Sequence, residues 1–161
     1  MPEPEYLRLL RRSGCSERVI AHCRVVRDLA LTYTSDPMVD RDLVEAGALL
    51  HDIGRGVTHD LHHAGAGAAI CRSLGLDEAV ASIVERHIGA GLTADECSLL
   101  NLTPRDCMPR TLEEKIVAHA DNLVKGTRII TLEERLMRSI ALPRRQRERI
   151  YRLGLEIELF R

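Results

Sequence analysis

Three Thr-x-x-Glu sequences, Thr93/Glu96, Thr111/Glu114 and Thr131/Glu134, punctuate the second half of this chain. In each, hydroxyl and carboxylate have the spacing that lets them satisfy orphan amides reciprocally at a helix start. The first half carries the same message through its breakers. A helix over about Glu3 to Arg12 stops at Gly14, and Ser16 caps a second that runs to about Thr34. Along it Val19, His22, Val26, Leu29 and Tyr33 share one face. Ser35-Asp36-Pro37 breaks that run. A third helix covers about Arg41 to Ile53, a loop spans Gly54 to Leu61, and further helices cover about His62 to Leu74 and Asp77 to Ile88. Pro143 opens a last, charge-laced helix whose apolar stripe is Ile150, Leu153, Ile157 and Phe160. No stretch alternates as a half-buried strand does. These signals predict an all-α chain of about eight or nine helices.

Composition agrees. Hydrophobic residues are 45% of the 161, yet aromatics are only 2% and Trp is absent, so the core must be aliphatic. That composition favours helices over sheets. The expectation is one domain over residues 1–161, with helices of 131–161 packing onto a core of about 18–125.

Several function classes are disfavoured. The formal net charge of −1 argues against a bulk nucleic-acid binder. No apolar run approaches the roughly 20 residues of a membrane span, and MPEPEYLRLLRR lacks a secretory h-region. The five cysteines, Cys15, Cys23, Cys71, Cys97 and Cys107, form no CxxC pair. They read as reduced thiols, mostly core residues, of a cytoplasmic protein. The basic run from Pro143 to Arg147 reads as a solvated face, and the apolar stripe of the last helix could serve an oligomer interface.

The chemistry concentrates in ALLHDIGRGVTHDLHHAGAGA, residues 48–68, which holds four of the seven histidines and two His-Asp pairs. His22 sits mid-helix on an apolar face, where a lone histidine is more often a satisfied core residue than a ligand. His51 and Asp52 fall in the last turn of a helix. Adjacent helical residues diverge by about 100°, but at a helix end they can converge on a shared ion. Asp121 lies among Ile116, Val117, Ala120, Leu123 and Val124, and a carboxylate in such a setting asks for a partner or a metal. His119, about 200° from Asp121 around that helix, should point elsewhere.

His22, ALLHDIG at 48–54 and the triplet Ala120-Asp121-Asn122 together resemble the HD-domain superfamily of metal-dependent phosphohydrolases, and more narrowly the HDIG-type proteins of archaea. The resemblance runs from about Arg18 to Val124 and implies a helical bundle of the HD type. It selects His51-Asp52 over His59-Asp60, which lacks the apolar frame before it and the Ile-Gly after it. His63, followed by Gly67-Ala68, is similar to the His-x-x-x-Gly step of the two-metal branch, with His62 the neighbouring alternative. His87 in VERHIGAG is similar to that branch's next histidine. The implied ligands are His22, His51, Asp52, His63, His87 and Asp121, with Asp52 bridging two ions.

Imidazoles and carboxylates without thiolates suit Fe, Mn, Co or Zn, with Ni also admissible. Two such ions can clamp a hydroxide and a phosphoryl oxygen together. No nucleophile elbow or Walker loop competes. Phosphate also wants fixed cations. Arg55 takes the place where many HDIG proteins have lysine, while Arg86 and Lys125 could serve or could be surface charges. The reading is a phosphohydrolase for a small nucleotide-like mono- or diester, a 2′,3′-cyclic phosphate among them, with Asp52, His51 and Arg55 catalytic. A di-iron oxygenase with the same ligands and a catalytically silent HD binding module are the alternatives.

Overall fold

The structure, a computed structural model, describes residues 1–161. Nine α-helices build it: α1 (Glu3–Arg12), α2 (Glu17–Leu31), α3 (Arg41–Leu50), α4 (His63–Ser73), α5 (Glu78–Glu85), α6 (Ala94–Leu99), α7 (Leu112–Asn122), α8 (Leu132–Arg138) and α9 (Arg144–Ile157). Single 3-10 turns follow α3 (Ile53–Gly56) and α9 (Glu158–Phe160). No helix is long and apolar enough to cross a membrane.

The start signals act through the chemistry that marks them, with one refinement. Ser16, Thr93, Thr111 and Thr131 each accept an amide three residues on. Only Thr93/Glu96 closes the reciprocal box. Glu114 instead accepts from the Arg110 amide and the Arg86 guanidinium, and Glu134 pairs with Arg128. A stronger charged partner wins the carboxylate in both cases.

The aliphatic core has two parts. One gathers Val26, Ala30, Ala48, Ile116, Val117, Ile150 and Ile157 from α2, α3, α7 and α9. The other gathers Leu10, Ile20, Leu50, Ala68, Val80 and Val84 from α1 to α5. Ile150, Leu153 and Ile157 are buried in the first part, with Phe160 packed against it. The stripe expected to offer an oligomer interface is therefore consumed inside the chain.

One short hairpin departs from the all-helical expectation. β1 (Val124–Lys125) pairs antiparallel with β2 (Arg128–Ile129), Val124 opposite Ile129. Two-residue strands are too short to show alternation in a sequence.

The end of α3 also differs from its expected extent. The α-helix stops at Leu50, and the chain passes through His51 and Asp52 into the 3-10 turn. Gly54 is the cause. A Cβ there would collide with the carbonyl of His63 and come within 2.7 Å of the Gly67 amide. A Cβ on Gly67 would in turn meet Gly54 N at 3.0 Å and Val84 Cγ1 at 2.8 Å. Only glycine at both positions lets this turn cross α4 so closely.

Candidate metal centre

That crossing lays the first turn of α4 against Asp52. The two carboxylate oxygens of Asp52 face different histidines. Oδ1 lies 3.2 Å from His63 Nε2 and 3.3 Å from His87 Nε2. Oδ2 lies 3.5 Å from His51 Nε2 and 3.7 Å from His22 Nε2. Asp121 Oδ1 closes the second group, 2.9 Å from His22 Nε2 and 3.2 Å from His51 Nε2. Two clusters result, His22/His51/Asp121 and Asp52/His63/His87, and the Asp52 carboxylate spans both.

The opposite edge of every imidazole is tied to the main chain. His22 Nδ1 contacts the Gly126 carbonyl at 2.6 Å. His51, His63 and His87 contact the carbonyls of Ala48, Asp60 and Val84, each at 2.7 Å. A carbonyl can only accept, so each Nδ1 carries a proton and each neutral ring turns a bare Nε2 lone pair inward. His63 Nε2 and His87 Nε2 stand 3.1 Å apart, and His51 Nε2 is buried without a hydrogen-bond partner. Lone pairs crowded against carboxylate oxygens repel unless a cation or extra protons lie between them. The donor set therefore fits divalent transition ions.

Without an ion, protons stand in. Burial pulls the His51 pKa down, but the Asp52 and Asp121 carboxylates overcome it and hold it well above the ordinary value. Burial alone would raise the Asp52 and Asp121 carboxyls. The His51 charge and hydrogen bonds from the other histidines hold both far below the usual carboxylate range. Burial lowers His87.

Of the two adjacent histidines, His63 is buried and faces Asp52, while His62 is exposed and tied to the Asp60 carboxylate at 2.9 Å. Arg55 bridges Asp52 Oδ2 (3.2 Å, from Nε) and the His59 carbonyl (2.9 Å, from Nη1). The His59-Asp60 pair lies on the surface, yet its carbonyls seat Arg55 and His63. Arg86 is engaged by buried Glu114 at 2.8 Å, and Lys125 is exposed on β1. His119 points away, to Tyr33 and to Glu158 Oε2 at 3.1 Å.

Three features went unread in the sequence. The hairpin turn supplies the Gly126 carbonyl; its signal was Lys125-Gly126-Thr127, which begins four residues after Asp121. Asn122 Nδ2 donates to the Gly89 carbonyl at 3.0 Å, joining the chain after His87 to the chain after Asp121. Gly89, at φ +56°, turns the chain there. Fully buried Cys23 lies beside His51 and Asp52 at the back of the site; nothing in its spacing distinguished it from the other core cysteines.

Four inward imidazole lone pairs and two carboxylates give this helical domain clusters that could hold metal ions. The HD domain family model matches residues 19–126, and the chain belongs to that family. It is 51% identical over 125 residues to an uncharacterised protein of Methanocaldococcus jannaschii, covering 74% of each. It is 46% identical over 132 residues to a tRNA (cytidine(56)-2′-O)-methyltransferase of Picrophilus torridus, covering 82% of this chain but 39% of that protein. A ribonuclease Y of Acidothermus cellulolyticus is 30% identical over 121 residues, with 21% of its length matched. Among solved structures, the HD domain of the Listeria monocytogenes phosphodiesterase PgpH in complex with cyclic-di-AMP shares the fold. Its TM-score is 0.60 at 14% identity, over 94% of each chain.

Proposed function

We propose that the chain is a two-metal phosphohydrolase acting on a small nucleotide-like phosphate mono- or diester, a 2′,3′-cyclic phosphate included. The observation that carries this reading is the opposed arrangement at Asp52. One carboxylate offers an oxygen to each of two histidine pairs, and every ring nitrogen aimed inward is an acceptor. His22, His51 and Asp121 would hold one ion, His63 and His87 the other, with Asp52 between them. Two ions of iron or manganese, or else zinc, cobalt or nickel, would supply Lewis acidity and a hydroxide at neutral pH.

The chain's own residues do the rest. The four carbonyls fix ring orientation and tautomer, so no reorganisation is needed when substrate arrives. Arg55 stands beside Asp52 with its side chain partly exposed, where it can take a phosphoryl oxygen and neutralise charge that grows during attack. Its planar fork suits two oxygens better than an ammonium would. His51 and Asp52 are buried, which strengthens every charge interaction around the reacting group. The names of the ribonuclease Y and phosphodiesterase relatives support phosphodiester chemistry. The methyltransferase name belongs to a protein of which this chain matches 39%, and methyl transfer gives no role to the paired clusters.

Elemental analysis of protein purified without oxygen or chelator tests this. About two ions per chain, with hydrolysis of members of a panel of cyclic and linear phosphate esters, is the expected result. One ion per chain would reduce the site to a mononuclear one. No hydrolysis across the panel, with substrate-coupled oxygen consumption by the iron-loaded protein, would replace the hydrolase by an oxygenase.

A further inference from the structure

Solvent reaches the centre from one side. The side chains of Asp121 and His22 are 22% and 16% exposed, whereas those of His51, Asp52, His63 and His87 are 6% or less. Arg55, at 30%, marks one edge of that opening. Asn122, the chain neighbour of Asp121, holds a second arginine.

Asn122, which follows Asp121, uses both ends of its amide. Nδ2 donates to Gly89, and Oδ1 accepts from Arg135 Nε at 3.2 Å. Arg135, on α8, also donates from Nη1 to the buried Ser139 hydroxyl at 2.6 Å. Arg27, Arg72, Arg86, Arg105 and Arg149 all end on carboxylates. The polar partners of Arg135 are an amide and a hydroxyl, both uncharged, so its full charge is left over. Burial pulls its pKa below the ordinary value, and Asp121 is the charge that opposes this. Holding a half-buried guanidinium with neutral groups is costly unless an anion completes the site. Nη2 remains free to do so.

Resting on the phosphohydrolase reading, we propose that Arg135 is a substrate-positioning residue. Its guanidinium, seated by Ser139 and by Asn122, the chain neighbour of Asp121, binds an oxygen of the substrate's phosphate. Arg55 and Arg135 then grip the phosphate group from two edges of the opening, which favours nucleotides over uncharged esters.

The test uses the metal-loaded full chain, with inorganic phosphate as the calorimetric probe and the best ester of the panel for kinetics. Arg135→Gln is expected to weaken phosphate binding roughly tenfold to a hundredfold, the range for one charged hydrogen-bonded contact. It should raise KM by a similar factor, more than it lowers kcat, with metal content unchanged. Arg135→Lys should recover part of the phosphate affinity. Unchanged phosphate affinity in Arg135→Gln, beside an active wild type, overturns the inference and leaves the hydrolase reading standing. Loss of metal and kcat in both variants overturns it too, showing that Arg135 only braces Asn122. A wild type that hydrolyses nothing yet binds phosphate through Arg135 would sink the hydrolase reading instead.

Discussion

His63 and His87 bring their Nε2 atoms to 3.1 Å of each other, although the Nδ1 proton of each is already committed to a main-chain carbonyl. Two neutral rings so held repel, and the arrangement is favourable only around a cation. His63→Ala or His87→Ala should therefore lower bound metal from about two ions per chain to about one, while Asp52→Ala should lose both. Turnover should fall by roughly a hundredfold or more in each. Elemental analysis beside a rate assay checks this; full metal occupancy in His63→Ala would remove that histidine from the centre.

The His59-Asp60 pair gives the opposite expectation. His59 reaches the site only through its carbonyl, which accepts from Arg55. His59→Ala keeps that carbonyl, so metal content should be unchanged and turnover should stay within about threefold, less than one lost hydrogen bond to a charge would cost. Loss of metal in this variant would show that the wrong His-Asp pair has been assigned to the centre.

Gly54 holds the two halves of the site together by having no side chain. A Cβ there would overlap the His63 carbonyl, which is backbone and cannot swing aside. Gly54→Ala should destabilise the chain by about 2–4 kcal/mol, at or above the usual cost of overpacking. Urea unfolding of the metal-free protein measures it. A change below about 0.5 kcal/mol, the range of ordinary surface substitutions, would mean that the crossing relaxes freely.

These three cases show what could be read without coordinates. Helix starts were legible because a Ser or Thr cap acts within four residues. His51-Asp52 was legible as a motif at a helix end, where adjacent side chains can converge, but which carboxylate oxygen faces which histidine was not. In the structure the α-helix ends at Leu50 and the pair leads into a 3-10 turn whose close pass over α4 needs Gly54. His62 and His63 could not be separated by spacing, and the choice falls to Asp60, whose carboxylate holds one ring outside while its carbonyl holds the other inside. The carbonyls that orient the histidines leave no trace in residue identity, because every residue has one. Arg135 was equally hidden: what distinguishes it from exposed Arg41, whose partners are neutral too, is that its guanidinium is half-buried between an amide and a hydroxyl.

Outside the centre, His119 supplies a pH dependence whose sign is fixed by its surroundings. Its ring is buried against Tyr33, and burial depresses its pKa below the ordinary 6.5 despite the nearby Glu158 carboxylate. The unfolded chain then binds a proton at a higher pH than the folded chain does. Stability is complete above about pH 6.5 and declines as the pH falls through that value, levelling off once the folded pKa is passed. In metal-saturated protein the other buried histidines contribute alike to wild type and variant, so the difference isolates His119. His119→Gln should flatten the fall in urea midpoint between pH 7.5 and 5.5. Coincident slopes would show that the imidazole titrates as it does in the unfolded chain. A wild type that gains stability on acidification relative to the variant would show Glu158 outweighing burial, with the pKa shifted the other way.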